Sequence, residues 1–136
     1  MTRLTIEAFE AWLDAYGRAS AEDDPDASAA LFSADARYHE SPFDPPIVGR
    51  QAIRRYWEGG ARRLADKRST HEILAVGDDV GIARWRASFT VVRTGERVAL
   101  DCLFVARFGE DGTCVEFREW WHRGSEPLAT GPVGGP

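Results

Sequence analysis

The chain has 136 residues, 43% of them hydrophobic and 29% charged, which suits one globular domain with its own core. A net charge of -5 argues against nucleic acid as the partner. Two cysteines without metal or disulfide spacing, and no apolar segment of signal-peptide or membrane-spanning length, predict a cytoplasmic protein with no metal, no other cofactor and no membrane association.

Two helices are predicted at the start of the chain. Thr5 caps the first, which ends near Ala21, where an acidic segment begins. The second is short, with Asp24 as its N-cap and Pro25 at its first position, and runs through Leu31-Phe32. The apolar residues of the first helix recur at the spacing of one helix face, and they are Ile6, Phe9, Leu13 and Tyr16.

A short strand and a third helix are predicted next. The strand covers Ala36 to Glu40, and alternation places Tyr38 and Glu40 on the same side of it. A proline-rich loop leads to Gly49, where the third helix begins with an apolar face formed by Ile53, Trp57 and Leu64. The Gly59-Gly60 pair weakens this helix, which predicts fraying or a break before its end.

From Thr70 onward the hydrophobic period changes to two, which predicts strands at about 70–77, 80–93, 96–108 and 113–122. Helices followed by a curled antiparallel sheet indicate an α+β fold. The domain is predicted over residues 1–123, followed by a flexible tail over 124–136 that is rich in glycine and proline.

The strand registers place one carboxylate among apolar residues. Turns centred on Thr94-Gly95 and Glu110-Asp111 predict that Trp85 and Phe117 each pair with Phe104. Glu119 is the only carboxylate on the sheet face that packs against the helices, so it needs a partner or a wet pocket. This face comprises Ala83, Trp85, Ala87, Phe89, Leu100, Cys102, Phe104, Ala106, Phe108, Phe117, Glu119 and Trp121.

In order and spacing, these segments resemble the nuclear transport factor 2-like (SnoaL-like) superfamily over about residues 5–122. The resemblance rests on the Tyr16 helix, on Asp24-Pro25-Asp26 through Ala30-Leu31-Phe32 to Ala36, on Gly49-Arg50-Gln51-Ala52-Ile53, and on the hairpin from Phe108 to Val115. It implies a cone-shaped α+β fold, in which a curved antiparallel or mixed sheet packs on three N-terminal helices and encloses a pocket.

The resemblance also implies catalytic residues. In ketosteroid isomerases of this superfamily, a general-base carboxylate stands where Glu40 falls, and the oxyanion-hole tyrosine stands where Tyr16 falls. Their second oxyanion donor is a protonated aspartic acid, and Phe104 takes its place here. Glu119 resembles the inward carboxylate of bacterial polyketide cyclases of the same fold. The predicted catalytic residues are therefore Glu40, Tyr16 and Glu119.

The expected ligand is a small, apolar, carbonyl-bearing metabolite, and the expected reaction is isomerisation, cyclisation or dehydration by proton transfer. Epoxide hydrolase chemistry is disfavoured because the inward sheet face carries no arginine. The predicted ligand-binding residues are Phe32, Tyr38, Trp57, Trp85, Phe89, Cys102, Phe104, Phe117 and Trp121.

Other interpretations remain open at this stage. Tyr16 could be an ordinary core residue, and Glu40 could accept loop amides or pair with Arg37 or Arg50. The alternative function is that of a non-catalytic ligand-binding or dimerising accessory domain. Trp120, with Leu103 and Arg118 beside it on the outward sheet face, predicts a homodimer interface.

Overall fold

The computed structural model describes residues 3–124 and confirms the α+β fold. Residues 125–136, most of the predicted tail, lie outside the described residues. The elements in chain order are α1 (Ile6–Ala21), α2 (Pro25–Ala29), β1 (Phe32–His39), β2 (Ile47–Val48), α3 (Arg50–Arg63), β3 (Leu64–Val76), β4 (Val80–Val91), β5 (Arg97–Phe108) and β6 (Cys114–Gly124).

The six strands form one mixed, curled sheet in the order β2-β1-β6-β5-β4-β3. The strands pair antiparallel except β1 and β6, which run parallel. The sheet is open because β2 and β3 lie at opposite edges. The predicted curved mixed sheet with three N-terminal helices is thereby confirmed.

The first two helices begin where the sequence predicts. Thr5 Oγ1 accepts a hydrogen bond from the Ala8 amide at 3.0 Å, and Asp24 Oδ1 accepts one from the Ala27 amide at 3.0 Å. The prediction that α2 continues through Phe32 is wrong. The Leu31 carbonyl already accepts a hydrogen bond from the Cys114 amide of β6 at 2.9 Å, so the chain has joined the sheet at this point.

The region between α3 and β3 differs most from the prediction. Helix α3 continues without a break through Gly59-Gly60 to Arg63, and β3 begins at Leu64 rather than near Thr70. The reason is strand pairing, because β3 pairs with β4 as far as Val91, which lies opposite Leu64. Strand pairing thus extends β3 toward the helix and outweighs the local weakness of the glycine pair.

The predicted registers are wrong, although the predicted faces are right. Trp85 pairs with Cys102, and Phe104 pairs with Glu119, each shifted by two residues from the prediction. The β4–β5 loop closes with a hydrogen bond from the Val91 amide to the Glu96 carbonyl at 2.9 Å, so it is longer than a two-residue turn. A shift of two residues keeps the same side chains on the same face.

The core lies between α1 and the concave face of the sheet, where aromatic side chains pack edge to face. Phe9 is fully buried and lies over Gly81 of β4. A Cβ atom at Gly81 would come within 2.5 Å of the Phe9 ring, so this close approach requires glycine. The apolar filling does not extend across the whole concave face, and a cavity remains beside Tyr16.

Candidate active site

A cavity of about 190 Å³ lies between α1, α3 and the concave sheet. Its lining divides into two regions of different chemistry. We call the inner part the floor, and it consists of the buried aromatic residues Tyr16, Tyr38, Trp85 and Phe104 and the partly buried Glu119. We call the charged part near solvent the mouth, which consists of Arg63, Lys67 and Arg68 with the neighbouring acids Asp23 and Asp66.

Two phenols form the hydrogen-bonding centre of the floor. The hydroxyl oxygens of Tyr16 and Tyr38 lie 3.1 Å apart, and both side chains are buried. Burial raises the pKa of both phenols well above the ordinary value, and the nearby charge of Glu119 raises it further. Both groups therefore stay protonated. Either oxygen can be the donor of their mutual bond, and when Tyr38 donates, the Tyr16 hydroxyl proton is left to donate to a ligand.

Glu119 is the acid of the floor. It lies opposite Phe104 in the β5–β6 pairing and faces the same cavity. Burial, and secondly the charge of Glu40, raise the pKa of Glu119 from 4.5 to about 8, while hydrogen bonding to Tyr38 acts in the opposite direction. Near pH 7 the carboxyl group is mainly protonated, with a minor ionised fraction.

Glu40 lies outside the cavity wall. It follows His39, the last residue of β1, is partly buried, and is not among the lining residues. In residues 3–124 it forms no ion pair within 4.0 Å with Arg37 or Arg50, and the Arg50 Nε donates instead to the Phe32 carbonyl at 2.9 Å. Its charge raises the pKa of Glu119 and of Tyr56. Glu40 therefore acts electrostatically on groups that do line the cavity.

The predicted ligand-binding residues divide into two groups. Phe32 and Phe117 are fully buried in the core behind the cavity. Trp121 is 44% exposed and lies in the part of β6 beyond Arg118, where the pairing with β1 ends. The residues that do line the cavity are Tyr38, Trp57, Trp85, Phe89, Cys102 and Phe104.

The sequence did not predict several lining residues, and those with ionisable side chains among them are Tyr56, Arg63, Lys67 and Arg68. They lie where the sequence predicted a broken helix end and an irregular connection. The predicted β4 strand already reached beyond residue 90. An antiparallel partner that pairs with this end must begin before Thr70, so the length of β4 was a signal that the preceding strand starts earlier. The expectation that the inward sheet face carries no arginine came from the later strands alone, and it is wrong for β3, where Arg68 lines the cavity.

One buried donor in the cavity wall has no partner. Trp57 Nε1 is the only buried side-chain nitrogen or oxygen in residues 3–124 that makes no hydrogen bond. The Trp57 ring packs edge-on against Tyr16 at 4.8 Å between ring centres. An unsatisfied buried donor costs free energy, so an acceptor from a ligand would be stabilised there.

The three histidines, all within residues 3–124, do not line the cavity, although the His71 ring stacks on the floor residue Trp85 at 5.9 Å between ring centres. His39 contacts Glu116 at 3.3 Å, and His71 contacts Glu10 and lies 3.9 Å from Asp14. The donor atoms of Glu10, Asp14 and His71 lie within 4.8 Å of one another and could hold a metal ion. This group is partly exposed on α1 and β3 and does not line the cavity.

The SnoaL-like domain family matches residues 9–117, which is most of the chain. The chain belongs to the SnoaL-like family. This membership and the curled sheet agree with the resemblance read from the sequence. Among functionally curated proteins, none matches this chain. No helix within residues 3–124 combines the length and apolar character needed to cross a bilayer.

Solved structures of the same fold include proteins described as enzymes. A proposed isomerase from Bacillus subtilis is 20% identical with a TM-score of 0.74, covering 85% of this chain and 87% of that one. The epoxide hydrolase/cyclase-like enzyme SalBIII, which has a role in pyran ring formation in salinomycin, is 19% identical with a TM-score of 0.74, covering 85% and 91%. A proposed isomerase from Rhodopseudomonas palustris is 17% identical with a TM-score of 0.72, covering 87% and 91%.

Proposed function

We propose that this SnoaL-like protein is an isomerase- or cyclase-type enzyme that moves a proton on a small carbonyl-bearing metabolite. The observation that carries the proposal is Glu119, a carboxyl group with a pKa of about 8 at the floor of an aromatic cavity. Acid–base catalysis is most efficient when the pKa of the catalytic group lies near the working pH. The fold shared with a cyclase-like enzyme is compatible with this reaction class.

In the proposed mechanism Glu119 acts first as base and then as acid. Its ionised fraction takes the proton from the carbon next to the substrate carbonyl, and the electrons of that bond form an enolate. The protonated Glu119 returns the proton to a different carbon, which completes an isomerisation. In a cyclisation the enolate would attack a second carbonyl, and Glu119 would protonate the resulting alkoxide.

Tyr16 would stabilise the enolate oxygen. Its hydroxyl is held by Tyr38 and remains protonated, so it can donate to an oxygen as negative charge develops. The loss of one such donor typically costs about 2.7–4 kcal/mol of transition-state stabilisation. The unpartnered Trp57 N–H is a candidate for the second donor, at a site where Phe104 offers none.

Glu40 would then tune the reaction and not take the proton itself. A negative charge outside the wall disfavours ionisation of Glu119 and keeps its pKa near the working range. This role differs from the base predicted for Glu40 by the ketosteroid isomerase resemblance, since the base must reach the substrate. Tyr16 keeps its predicted role as oxyanion donor in this proposal, whereas Glu119, predicted as a second acid, also takes the role of the base.

The size of the cavity limits the substrate. At about 190 Å³ it exceeds an engineered cavity of about 150 Å³ that binds benzene, and is smaller than the 300–1,000 Å³ typical of drug-sized ligands. One or two rings would fit below the mouth. This volume favours a mono- or bicyclic carbonyl compound over a steroid.

The proposal can be tested without the natural substrate, through exchange of the acidic α-hydrogens of 2-tetralone in D₂O, followed by proton NMR. We expect the wild type to accelerate exchange above the buffer rate, with the enzymatic rate rising toward pH 8 as Glu119 ionises. Glu119→Gln should lower the enzymatic rate by about 100-fold or more. Tyr16→Phe should lower it by about 100-fold, while the exposed Glu110→Gln serves as the control.

Exchange at the buffer rate for the wild type, or equal rates for wild type and Glu119→Gln, would refute the proposed enzyme. Binding of 2-tetralone with quenching of tryptophan fluorescence but no exchange would support the alternative, a non-catalytic ligand-binding domain. Phe104 at the second donor position is the observation that favours this alternative.

We further propose that the protein forms a homodimer through the outward sheet face. Trp120 and Leu103 pair directly on this face, and they are 44% and 37% exposed. Aromatic residues are enriched in interfaces. Light scattering should give a dimer mass for the wild type and a monomer mass for Trp120→Glu; a monomeric wild type would end the proposal.

A further inference from the structure

The ionisable residues that line the cavity differ in charge between its two parts: the floor has a carboxyl group, and the mouth has three basic side chains. Of its lining residues, Arg63 and Arg68 are exposed, whereas the floor residues are buried or, for Glu119, partly buried, so the opening lies beside these two guanidinium groups. Arg63 comes from the last turn of α3 and Arg68 from the beginning of β3, with Lys67 next to it. A ligand that enters the cavity must pass these three cations.

The three cations differ in how fully they are neutralised. Lys67 Nζ lies 2.5 Å from Asp23 Oδ1, and the lysine side chain is only 13% exposed. Arg68 Nε reaches Asp66 at 3.4 Å, a long contact between exposed groups, and Asp66 is shared with Arg97 at 3.4 Å. Within residues 3–124, Arg63 has no ion-pair partner at 4.0 Å or less. Arg63 and Arg68 therefore have donors to offer a ligand.

Helix capping accounts for only part of this arrangement. Basic residues at the end of α3 are favoured by the negative end of the helix dipole. Arg62 satisfies that preference equally, but it contacts Glu58 at 3.2 Å and does not line the cavity. The dipole thus explains why arginines occur at this helix end, and it does not explain why one of them borders the cavity.

The local charge is opposite to that of the whole chain. The net charge of -5 would repel an anion, whereas the mouth has three cations against the two acids Asp23 and Asp66, a local excess of one positive charge. The charge of Arg63 also reaches inward, since it lowers the pKa of Tyr56 in the cavity wall, against the larger effect of burial. At the floor, Glu119 is mainly neutral near pH 7 and does not repel an anionic ligand.

We propose that the ligand of this cavity carries a carboxylate, which Arg63 and Arg68 bind at the mouth while its apolar carbonyl-bearing part occupies the floor. Guanidinium groups bind carboxylates through paired, charge-assisted hydrogen bonds. The anion then fixes the depth and direction of the ligand, with its carbonyl toward Tyr16. This inference rests on the proposed function, because it assumes that the reacting carbonyl lies beside Glu119.

The test compares 4-oxo-4-phenylbutanoate with its methyl ester, two probes that differ in one negative charge. Binding is followed by the fluorescence of Trp57 and Trp85, which line the cavity. We expect the acid to bind the wild type at least tenfold more tightly than the ester at 50 mM KCl. The preference should shrink at 300 mM KCl, because salt screens exposed charges.

Variants separate the mouth from general charge effects. The double variant Arg63→Gln/Arg68→Gln should lose the preference for the acid and bind the ester as the wild type does. The control Arg55→Gln/Arg62→Gln removes the same charge from α3 at positions that do not line the cavity, and should keep the preference.

Equal binding of acid and ester by the wild type would overturn this inference alone and leave the proposed reaction standing. A loss of preference in the control as large as in the mouth variant would also overturn it, since net charge would then be the cause. Failure of both probes to bind would count against the proposed function as well.

Discussion

The floor and the mouth of the cavity carry charge in opposite ways. At the floor, Glu119 lies among aromatic rings, and burial is the main reason that its pKa is raised. At the mouth, Arg63 and Arg68 remain exposed, and the acids that contact Lys67 at 2.5 Å and Arg68 at 3.4 Å are themselves in contact with water. Ionisation is therefore costly at the floor and inexpensive at the mouth, which suits a proton-transferring group below and ligand recognition above.

The largest difference between floor and mouth should appear in the free energy of unfolding when a side chain of each is truncated. Phe104 is 1% exposed and contacts Trp85 and Phe117 at ring distances of 5.1 and 4.7 Å. Phe104→Ala should lower the free energy of unfolding by about 3–5 kcal/mol, measured by urea denaturation. Arg68→Ala at the mouth is the counterpart, and it should change stability by less than about 1 kcal/mol. Similar losses in both variants would remove the distinction.

The second difference between floor and mouth is the pH dependence of stability that the floor introduces. The folded-state pKa of Glu119 is about 8 against an ordinary value of 4.5, so the native protein keeps a proton that the unfolded chain releases. Stability contributed by this group is present at low pH and is lost as pH rises from about 5 to 8, by at most about 1.4 kcal/mol per pH unit.

Glu119→Gln isolates this effect. Urea denaturation of wild type and variant between pH 5 and 9 should give curves that diverge with rising pH, with the variant relatively more stable at the alkaline end by about 2–4 kcal/mol. Glu110→Gln, on the exposed β5–β6 turn, should follow the wild type. Parallel curves for wild type and Glu119→Gln would show that the floor does not perturb this carboxyl group.

The smallest effect is expected for the ion pairs of the mouth. Asp23→Asn removes the charge that holds Lys67 at 2.5 Å, and Asp23 is itself 46% exposed. Such a pair contributes about 0–1 kcal/mol, so thermal stability should change little. The freed lysine should strengthen binding of 4-oxo-4-phenylbutanoate by a few-fold at low salt, measured by fluorescence titration; weaker binding would mean that Asp23 positions the mouth.

The sequence alone determined the features that depend on local period and composition. Alternation placed Trp85, Cys102, Phe104 and Glu119 on one face, and the structure keeps them there. That prediction survived a wrong register, because a displacement of two residues does not change which face a side chain occupies. The caps at Thr5 and Asp24 were also readable, since capping depends on neighbours along the chain.

Tertiary structure decided what depends on partners distant in sequence. Because β3 pairs with β4, it begins already at Leu64, and Arg63, Lys67 and Arg68 line the cavity. The Gly59-Gly60 pair had instead predicted a break in this region. The end of β1 at His39 left Glu40 outside the wall. Local propensity is worth about 1 kcal/mol per glycine, and the pairing of a whole strand outweighs it. The acid of the floor could thus be found from the sequence, whereas the cations of the mouth required the fold.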